Sequence, residues 1–515
     1  MSLLTVSELK KAVEPGAYFL LGSVSRFLAA RNVKAYLIGG MVRDLLLERH
    51  TADIDIAADA DALEIAAQFA EAIGGTYVLL DAVNRIGRVV PPETAETKGG
   101  GEIDFSALRG TIGEDLSRRD FTIDAMAIDL AEITFVKGKS IISFPEIIDP
   151  FSGQRDIRNR LLRQVSESSF PDDPARLIRA VRLAAELGFT IDGETENAIR
   201  RHACLVSGVA GERVREELLK MLALPGAGKS VGYLNELGLL TALIPGLAQG
   251  RGVDQPKIHV WDVLEHSLQT VRAVDFILRQ NAWDYADEKV LASVPWSPKL
   301  EQHFKQEVSH GSTRSALLKL AALLHDIAKP QTKAIDATGR ARFLGHAGEG
   351  AEIVTDIMQR LRFSAREIKL VELLVRHHLR PTQMSAEGLP THRAIYRYFR
   401  DTEDAGIDIL FLSLADHLAT RGKTLDRAEW QKHTRMVAYL IEQRFAEESV
   451  VVPPKLIDGN DLIKLFGLSP GPRIGAILES VREAQAGGEI KTREEALARA
   501  KAMITSPTSE NNQDR

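Results

Sequence analysis

One change of pattern constrains this chain more than any other. Up to about residue 150, alternating and continuous apolar stretches interleave with helical ones; from about residue 166 almost every apolar stretch repeats at helical spacing. Such a chain must join a sheet-containing N-terminal domain to a long all-helical remainder. At 515 residues it is too long for one core and predicts about three or four domains.

The N-terminal part resolves into short elements. Residues 1–34 read as an amphipathic helical region. "KAYLIGG" is a buried strand, "MVRDLLLE" a short helix and "ADIDIA" a strand. "ADALEIAAQFAEAIG" follows as a helix and "TYVLL" as a strand. "RIGRVV" and "GEIDFSAL" form a strand pair joined by "PPETAETKGGG", a polar, Gly-rich linker expected to be mobile. "DFTIDAMAIDL" combines a helical turn with a strand. In the helical remainder, "NAWDYADEKVLASVPWSPKLEQHFKQEVSHGSTR" and "ESVVVPPKL" are polar breaks, and the final "TSPTSENNQDR" is expected to be disordered.

Composition removes some alternatives. The formal net charge of −6 argues against a generally basic nucleic-acid coat, though not against a local basic groove. A single cysteine, Cys204, excludes an intramolecular disulfide and fits a reducing cytoplasm. The N-terminus lacks a signal-peptide pattern, and no apolar run is long enough for a bilayer.

Within "LIGGMVRDLLLERHTADIDIA", Asp53 and Asp55 are two apart on a strand, so both face one side. Like charges this close need a counter-charge, and a divalent cation supplies it. A bare D-x-D is more often an exposed strand edge. Here Gly39 and Gly40 precede it at a strand-to-helix turn, where backbone N–H groups can approach a phosphate. Arg43 and Asp44 lie in the following helical turn, and Asp104 supplies a third carboxylate on a neighbouring strand. Three carboxylates beside a glycine turn suit two-metal nucleotidyl transfer.

These residues carry a resemblance. "GGMVRDLLLERHTADIDI" is similar to the signature of polymerase-β-type nucleotidyltransferases in the class II tRNA nucleotidyltransferase and bacterial poly(A) polymerase family. Four further stretches match in order. "EDLSRRDFTIDAMA" resembles the family's ribose- and nucleotide-positioning motif, with Arg118, Arg119 and Asp120. "IIDPFSGQRDI" resembles its hinge, "PDDPARLIRAVRLAAELGF" its nucleotide-selecting helix, and "VAGERVREELLKML" with "LNELGLL" its RNA-binding neck. The chain departs from the usual pattern at Asp172 (usually Glu), Asp124 (usually Asn) and Glu48 (often Gly).

The resemblance implies that Asp173 and Arg176, three apart on one helical face, select the base, with Arg179 continuing the ridge. A carboxylate that accepts and a guanidinium that donates match the edges of cytosine and adenine, not those of uracil and guanine. It also implies Mg²⁺ at Asp53 and Asp55.

Further along, His266, the pair His325-Asp326 and Asp416 fall on successive helices in the order H…HD…D, which resembles the HD phosphohydrolase superfamily. These N and O ligands suit Mg²⁺, Mn²⁺, Ni²⁺ or Fe²⁺. His346, His377 and His378 are candidates for a second ion or for phosphate. Some family members hydrolyse 2′,3′-cyclic phosphates or 2′-phosphates.

The expected architecture is an α+β polymerase-β-like nucleotidyltransferase head on a small mixed sheet over 1–165. An all-α neck over 166–250, an HD domain over 251–430 and a helical tail over 431–515 follow. The expected activity is template-independent addition of C, A or both from CTP and ATP to a tRNA 3′ end. Poly(A) polymerization and separate CC or A addition are alternatives of the same family. Discrimination among them falls to a flexible loop near residues 81–101 and to neck geometry. A phosphohydrolase that uses its head only to bind RNA would not need Asp53, Asp55 and Asp104 intact.

Overall fold

The computed structural model describes residues 9–50, 53–136, 140–256, 258–309, 311–385, 388–446 and 454–505. The chain divides into two compact units. The first is Met1–Val209 with Glu236–Ala242, and the second is Ala210–Asn235 with Leu243–Arg515. The helices of 166–250 are therefore shared between the two.

The first unit contains strands β1 (Leu9–Ala12), β2 (Ala35–Ile38), β3 (Ile54–Ala58), β4 (Thr76–Asp81), β5 (Ile86–Val90), β6 (Ile103–Ala107), β7 (Ala127–Asp129), β8 (Thr134–Phe135) and β9 (Ile141–Phe144). Its main helices at the start are α1 (Pro15–Ala29), α2 (Gly40–Leu47) and α3 (Ala62–Ile73). A six-stranded sheet runs β4-β5-β6-β3-β2-β7, and β1-β9-β8 form a second, three-stranded one. The large sheet is mixed: β3 and β6 are parallel and the other pairs are antiparallel.

Both faces of that sheet are covered at β2, which explains its continuous apolar sequence and full burial, whereas the edge strand β4 is largely exposed. On one face Phe105 packs against Phe69 of α3, which meets Phe27 of α1 edge-on. On the other, Tyr36, Ile38 and Ala57 pack with Leu116, Ala125 and Ala127. Asp55, opposite Ile38, and Asp104, opposite Asp55, lie on this second face.

Two expectations change here. The N-terminal region is not wholly helical: Leu9–Ala12 is a strand that alternates half-buried Leu9 and Lys11 with exposed Lys10 and Ala12, while β9 supplies the ladder. Residues 1–8 and the disordered tail expected beyond Thr505 lie outside the described residues. The 81–101 region is not one loop either. It contains the turn of the β4–β5 hairpin and all of β5. The linker after β5 is also pinned rather than loose. Thr97 is buried, its hydroxyl donates to the carbonyl of Pro92, and Thr94 and Thr97 bond to each other. Gly100 lies against Gly16 of α1 so closely that a Cβ on either would collide with backbone.

The second unit is helical apart from two short hairpins among its described residues. The helices Val263–Ile277, Arg314–Leu324, Ala365–His377 and Gly406–Arg421 form its core. Lys319 is fully buried there. Its ammonium pairs with Asp275 at 2.8 Å and donates to the carbonyls of Leu222 and Leu224 at 2.9 and 3.0 Å. The C-terminal helices Gly459–Phe466, Pro472–Ala486 and Arg493–Thr505 have a small apolar core of their own. They meet helix His392–Thr402 largely through charge: Arg393, Arg397 and Arg400 face Glu479, Glu483 and Glu489. No helix among the described residues is long and apolar enough to cross a membrane.

Candidate functional sites

The first site is built by strand register. Ile38 of β2 stands opposite Asp55 of β3, and Asp55 opposite Asp104 of β6. Opposed residues send their side chains to the same face, so Asp55 and Asp104 converge. Asp53 immediately precedes β3 rather than lying within it, and is exposed. Gly39 closes the site from the β2–α2 turn. Its φ is +73°, and a Cβ there would come within 3.0 Å of both Asp55 Oδ2 and Arg119 Nη1. Only glycine gives this backbone both the left-handed angle and the close approach.

The electrostatics match a cation site. Burial pushes the Asp55 carboxyl up to about 6; Arg119 opposes that rise, and Asp104 and Asp53 add to it. A carboxylate this short of counter-charge favours a divalent ion beside it. The donor set of three carboxylates is all oxygen, as Mg²⁺ prefers.

Arg43 and Asp44 do not project freely. Both are buried, and Arg43 donates to Asp44 at 2.9 and 3.1 Å and to Asp124 at 2.7 Å. The aspartate at 124 thus has a partner that a neutral amide could not match in charge. Arg118 is exposed at the end of helix Ile112–Ser117, while Arg119 reaches toward Asp115 at 3.8 Å. Burial works against the charge on Asp120, but Arg179 and Arg176 outweigh it and hold the carboxyl below its ordinary value. Arg179 Nε lies 2.8 Å from Asp120 Oδ2.

Asp173 and Arg176 do not share a helical face as their spacing suggests. Helix Ala175–Leu187 begins after Pro174, so Asp173 stands just outside it and its Oδ1 accepts from the Ala175 N–H at 3.2 Å. Arg176 lies 3.7 Å from Asp173 and donates to the carbonyls of Ser169 and Arg118 at 3.2 and 2.8 Å. The proline ends the preceding turn and fixes this geometry. Below, Asp156 of the "IIDPFSGQRDI" stretch is fully buried and accepts from Thr122 and Arg163 at 2.8 and 3.2 Å.

The second site belongs wholly to the second unit. Two groups of metal-competent side chains form: His266, His325 and Asp416, and Asp326, His346 and His378. Asp326 faces both. Its Oδ2 is 3.4 Å from His266 and 3.2 Å from His325, and its Oδ1 is 3.4 Å from His346 and 3.8 Å from His378. His266 lies 3.1 Å from Asp416.

Hydrogen bonding tests whether these residues suit a metal. His325, His346 and His378 each direct Nδ1 to the carbonyl three residues earlier, at 2.9, 2.6 and 2.7 Å. A carbonyl only accepts, so Nδ1 holds the proton and Nε2 keeps its lone pair. The Nε2 atoms of His346 and His378 then face each other at 3.4 Å as two acceptors. A cation between them relieves that opposition. Burial first, then His325, also hold the His378 pKa down to about 3, so its ring is neutral and able to ligate.

His377 joins neither group; it follows the other side of its helix, where burial first and then Arg380 lower its pKa against the pull of Asp401. Two neighbours escaped the sequence reading. Lys329 pairs with Asp326 at 2.6 Å and donates to Gln255 at 2.7 Å. Its spacing of three from Asp326 was the available signal. The His259 ring lies edge-on to His266 at 5.6 Å, from a non-helical segment with no periodicity to mark it.

The first unit thus has the fold and acidic centre of a nucleotidyltransferase. Family comparison agrees: residues 35–163 match the poly(A) polymerase head domain, 188–250 the probable RNA and SrmB-binding site of polymerase A, and 263–421 the HD domain. An A-adding tRNA nucleotidyltransferase of Deinococcus radiodurans is 34% identical over 470 residues, 90% of this chain and 94% of that one. A CC-adding tRNA nucleotidyltransferase of Thermus thermophilus is 33% identical over 90% of this chain and 92% of its own. The fold is also that of the Thermotoga maritima CCA-adding enzyme in complex with tRNA, with a TM-score of 0.56 at 23% identity, covering 96% of this chain and 97% of that one. The chain belongs to the bacterial tRNA nucleotidyltransferase and poly(A) polymerase family and is a nucleotidyltransferase with an HD domain.

Proposed function

We propose that this protein adds C, A or both, from CTP and ATP, to the 3′ end of tRNA in the cytoplasm. The observation that carries the reading is the register of Asp55 against Asp104 beside the Gly39 turn. Asp53, Asp55 and Asp104 would hold Mg²⁺, which when bound activates the RNA 3′ hydroxyl and neutralises the triphosphate. Gly39 and Gly40 offer backbone N–H groups to the phosphates at the start of α2. Arg119 and Arg118 supply positive charge to the triphosphate and ribose, and the Arg43–Asp44–Asp124 clamp holds the turn in shape. Asp173 and Arg176 read the base edge, with Arg179 locked to Asp120 behind them.

The relatives matched over nine-tenths of this chain add either CC or A. A CCA-adding enzyme of Geobacillus stearothermophilus is 37% identical over only 43% of this chain. That contrast in sequence coverage favours a divided activity, CC or A, while the fold over 96% of the chain is also that of a CCA-adding enzyme; neither supports poly(A) polymerization. Transcripts lacking the whole CCA end, lacking only the last A, or complete, each given CTP or ATP, separate these by product length.

For the HD domain we propose a divalent-metal phosphohydrolase acting on 2′,3′-cyclic or 2′-phosphates at RNA ends, with Mn²⁺, Ni²⁺ or Mg²⁺ held by His266, His325, Asp326 and Asp416 and a second ion by Asp326, His346 and His378. Lys329 would hold Asp326 in place. Release of inorganic phosphate or opening of a cyclic nucleotide, abolished by chelation, tests it.

A further inference from the structure

The row of opposed residues that makes the first site continues one strand beyond the carboxylates. Arg88 of β5 stands directly opposite Asp104 of β6, which stands opposite Asp55 of β3. All three side chains lie on one sheet face. Arg88 Nε and Nη2 donate to the two oxygens of Asp104 at 2.8 and 2.9 Å. Its remaining nitrogen pairs with Glu102. The carbonyl of Glu102 in turn accepts the Ile54 N–H at 3.0 Å, at the point where the chain leaves Asp53 for β3.

We infer that Arg88 is a positioning residue for nucleotidyl transfer: its fork fixes the carboxylate plane of Asp104 so that the oxygens' remaining lone pairs face the ions held with Asp53 and Asp55. The inference rests on the transfer reading of the head. A lone carboxylate on a strand turns about two side-chain bonds, and two parallel N–H···O bonds remove that freedom. Each carboxylate oxygen retains a further acceptor direction for an ion. Glu102 anchors the far side of the guanidinium, so the fork is held from both ends.

Two other roles predict different behaviour. A mere counter-charge beside the acidic centre would weaken cation binding, so its removal would tighten it. A solvent-screened surface pair would contribute almost nothing. Lysine separates fork from charge, because it keeps the positive charge and lacks the planar pair of donors.

The test compares Arg88→Lys and Arg88→Gln with the native full-length chain. Mn²⁺ binding is followed by electron paramagnetic resonance with CTP and no RNA, and the head ions are counted as the difference from Asp55→Asn in each background. Nucleotide addition is measured in parallel. The side chain is 34% exposed, so both variants should fold, as a melting curve checks. The expected result is weaker Mn²⁺ binding in both variants and a kcat reduced by about 10- to 100-fold, with KM for CTP unchanged. Native-like binding and kcat in Arg88→Lys, or tighter binding in Arg88→Gln, overturns the inference. If Arg88→Gln does not fold, Arg88→Lys alone decides it. If the native chain extends no RNA, the transfer reading fails, while the Mn²⁺ comparison still decides the role of Arg88.

Discussion

The two sites solve the same problem, close-packed ligands without a cation, in opposite ways. In the head the groups are carboxylates, partly open to solvent, and arginines from β5 and the 118–119 turn neutralise part of their charge. In the HD domain the groups are buried histidines around two aspartates, Asp326 and Asp416, and what is left unbalanced is a set of inward lone pairs. An open, acidic centre flanked by arginines must admit and release a charged triphosphate and an RNA end. A closed histidine cage is suited to keeping its ions. Each site is assembled from one compact unit, so neither borrows a ligand from the other.

The largest expected effect is on the head chemistry. Asp55→Ala should lower nucleotide addition by more than about 100-fold while tRNA binding persists, because RNA affinity comes mainly from phosphate contacts. Gel-shift and primer-extension assays on one preparation check both halves. The next largest falls on the stability of the second unit. Lys319→Ala strands Asp275 in the interior and should destabilise that unit by about 3–5 kcal/mol, read from urea denaturation. By contrast, Arg397→Ala on the exposed attachment of the C-terminal helices should leave the urea midpoint almost unchanged.

Base choice gives an intermediate effect. Asp173→Ala or Arg176→Ala should erode the preference for C and A over U and G by about 1–3 kcal/mol, since a correct base then leaves a polar edge unpaired. Competitive incorporation of the four nucleotides measures it; an unchanged ratio reduces the pair to a loop anchor.

The pH dependence of the head has a definite sign. Asp55 is raised from 3.8 to about 6, so the ion-free folded state favours its protonated form. The stability linked to it is full below about pH 4 and declines as pH rises through 6, by up to about 3 kcal/mol. Asp55→Asn should therefore stabilise the ion-free protein at pH 7 and not at pH 4. Melting temperatures of both chains across that range check this.

Much of this was legible in the sequence where spacing alone decides geometry. Asp55 and Asp104 are legible because strand alternation and a glycine turn leave few arrangements, and the H…HD…D order marks four candidate ligands, of which His325 and Asp326 follow the end of helix Arg314–Leu324. What escaped depended on partners distant in sequence. Nothing local in Arg88 shows that register will place it opposite Asp104. The linker after β5 reads as loose because Thr94, Thr97 and Gly100 are small and polar, yet they pack against one another and against Gly16. Asp173 reads as helical from its spacing to Arg176, and only the proline between them puts it outside the helix. Of the paired His377 and His378, helix rotation alone selects which one meets Asp326.

The claim that nucleotide addition resides in the head and needs nothing from the HD cluster has one direct test. Primer extension with CTP and ATP is run on the native chain, Asp55→Ala and the His325→Ala, Asp326→Ala double variant, with metal content and folding checked for each. Asp55→Ala is expected to be inactive, while the double variant loses transition metal yet extends tRNA at the native rate. Extension lost in a folded double variant, or retained in Asp55→Ala, would contradict it.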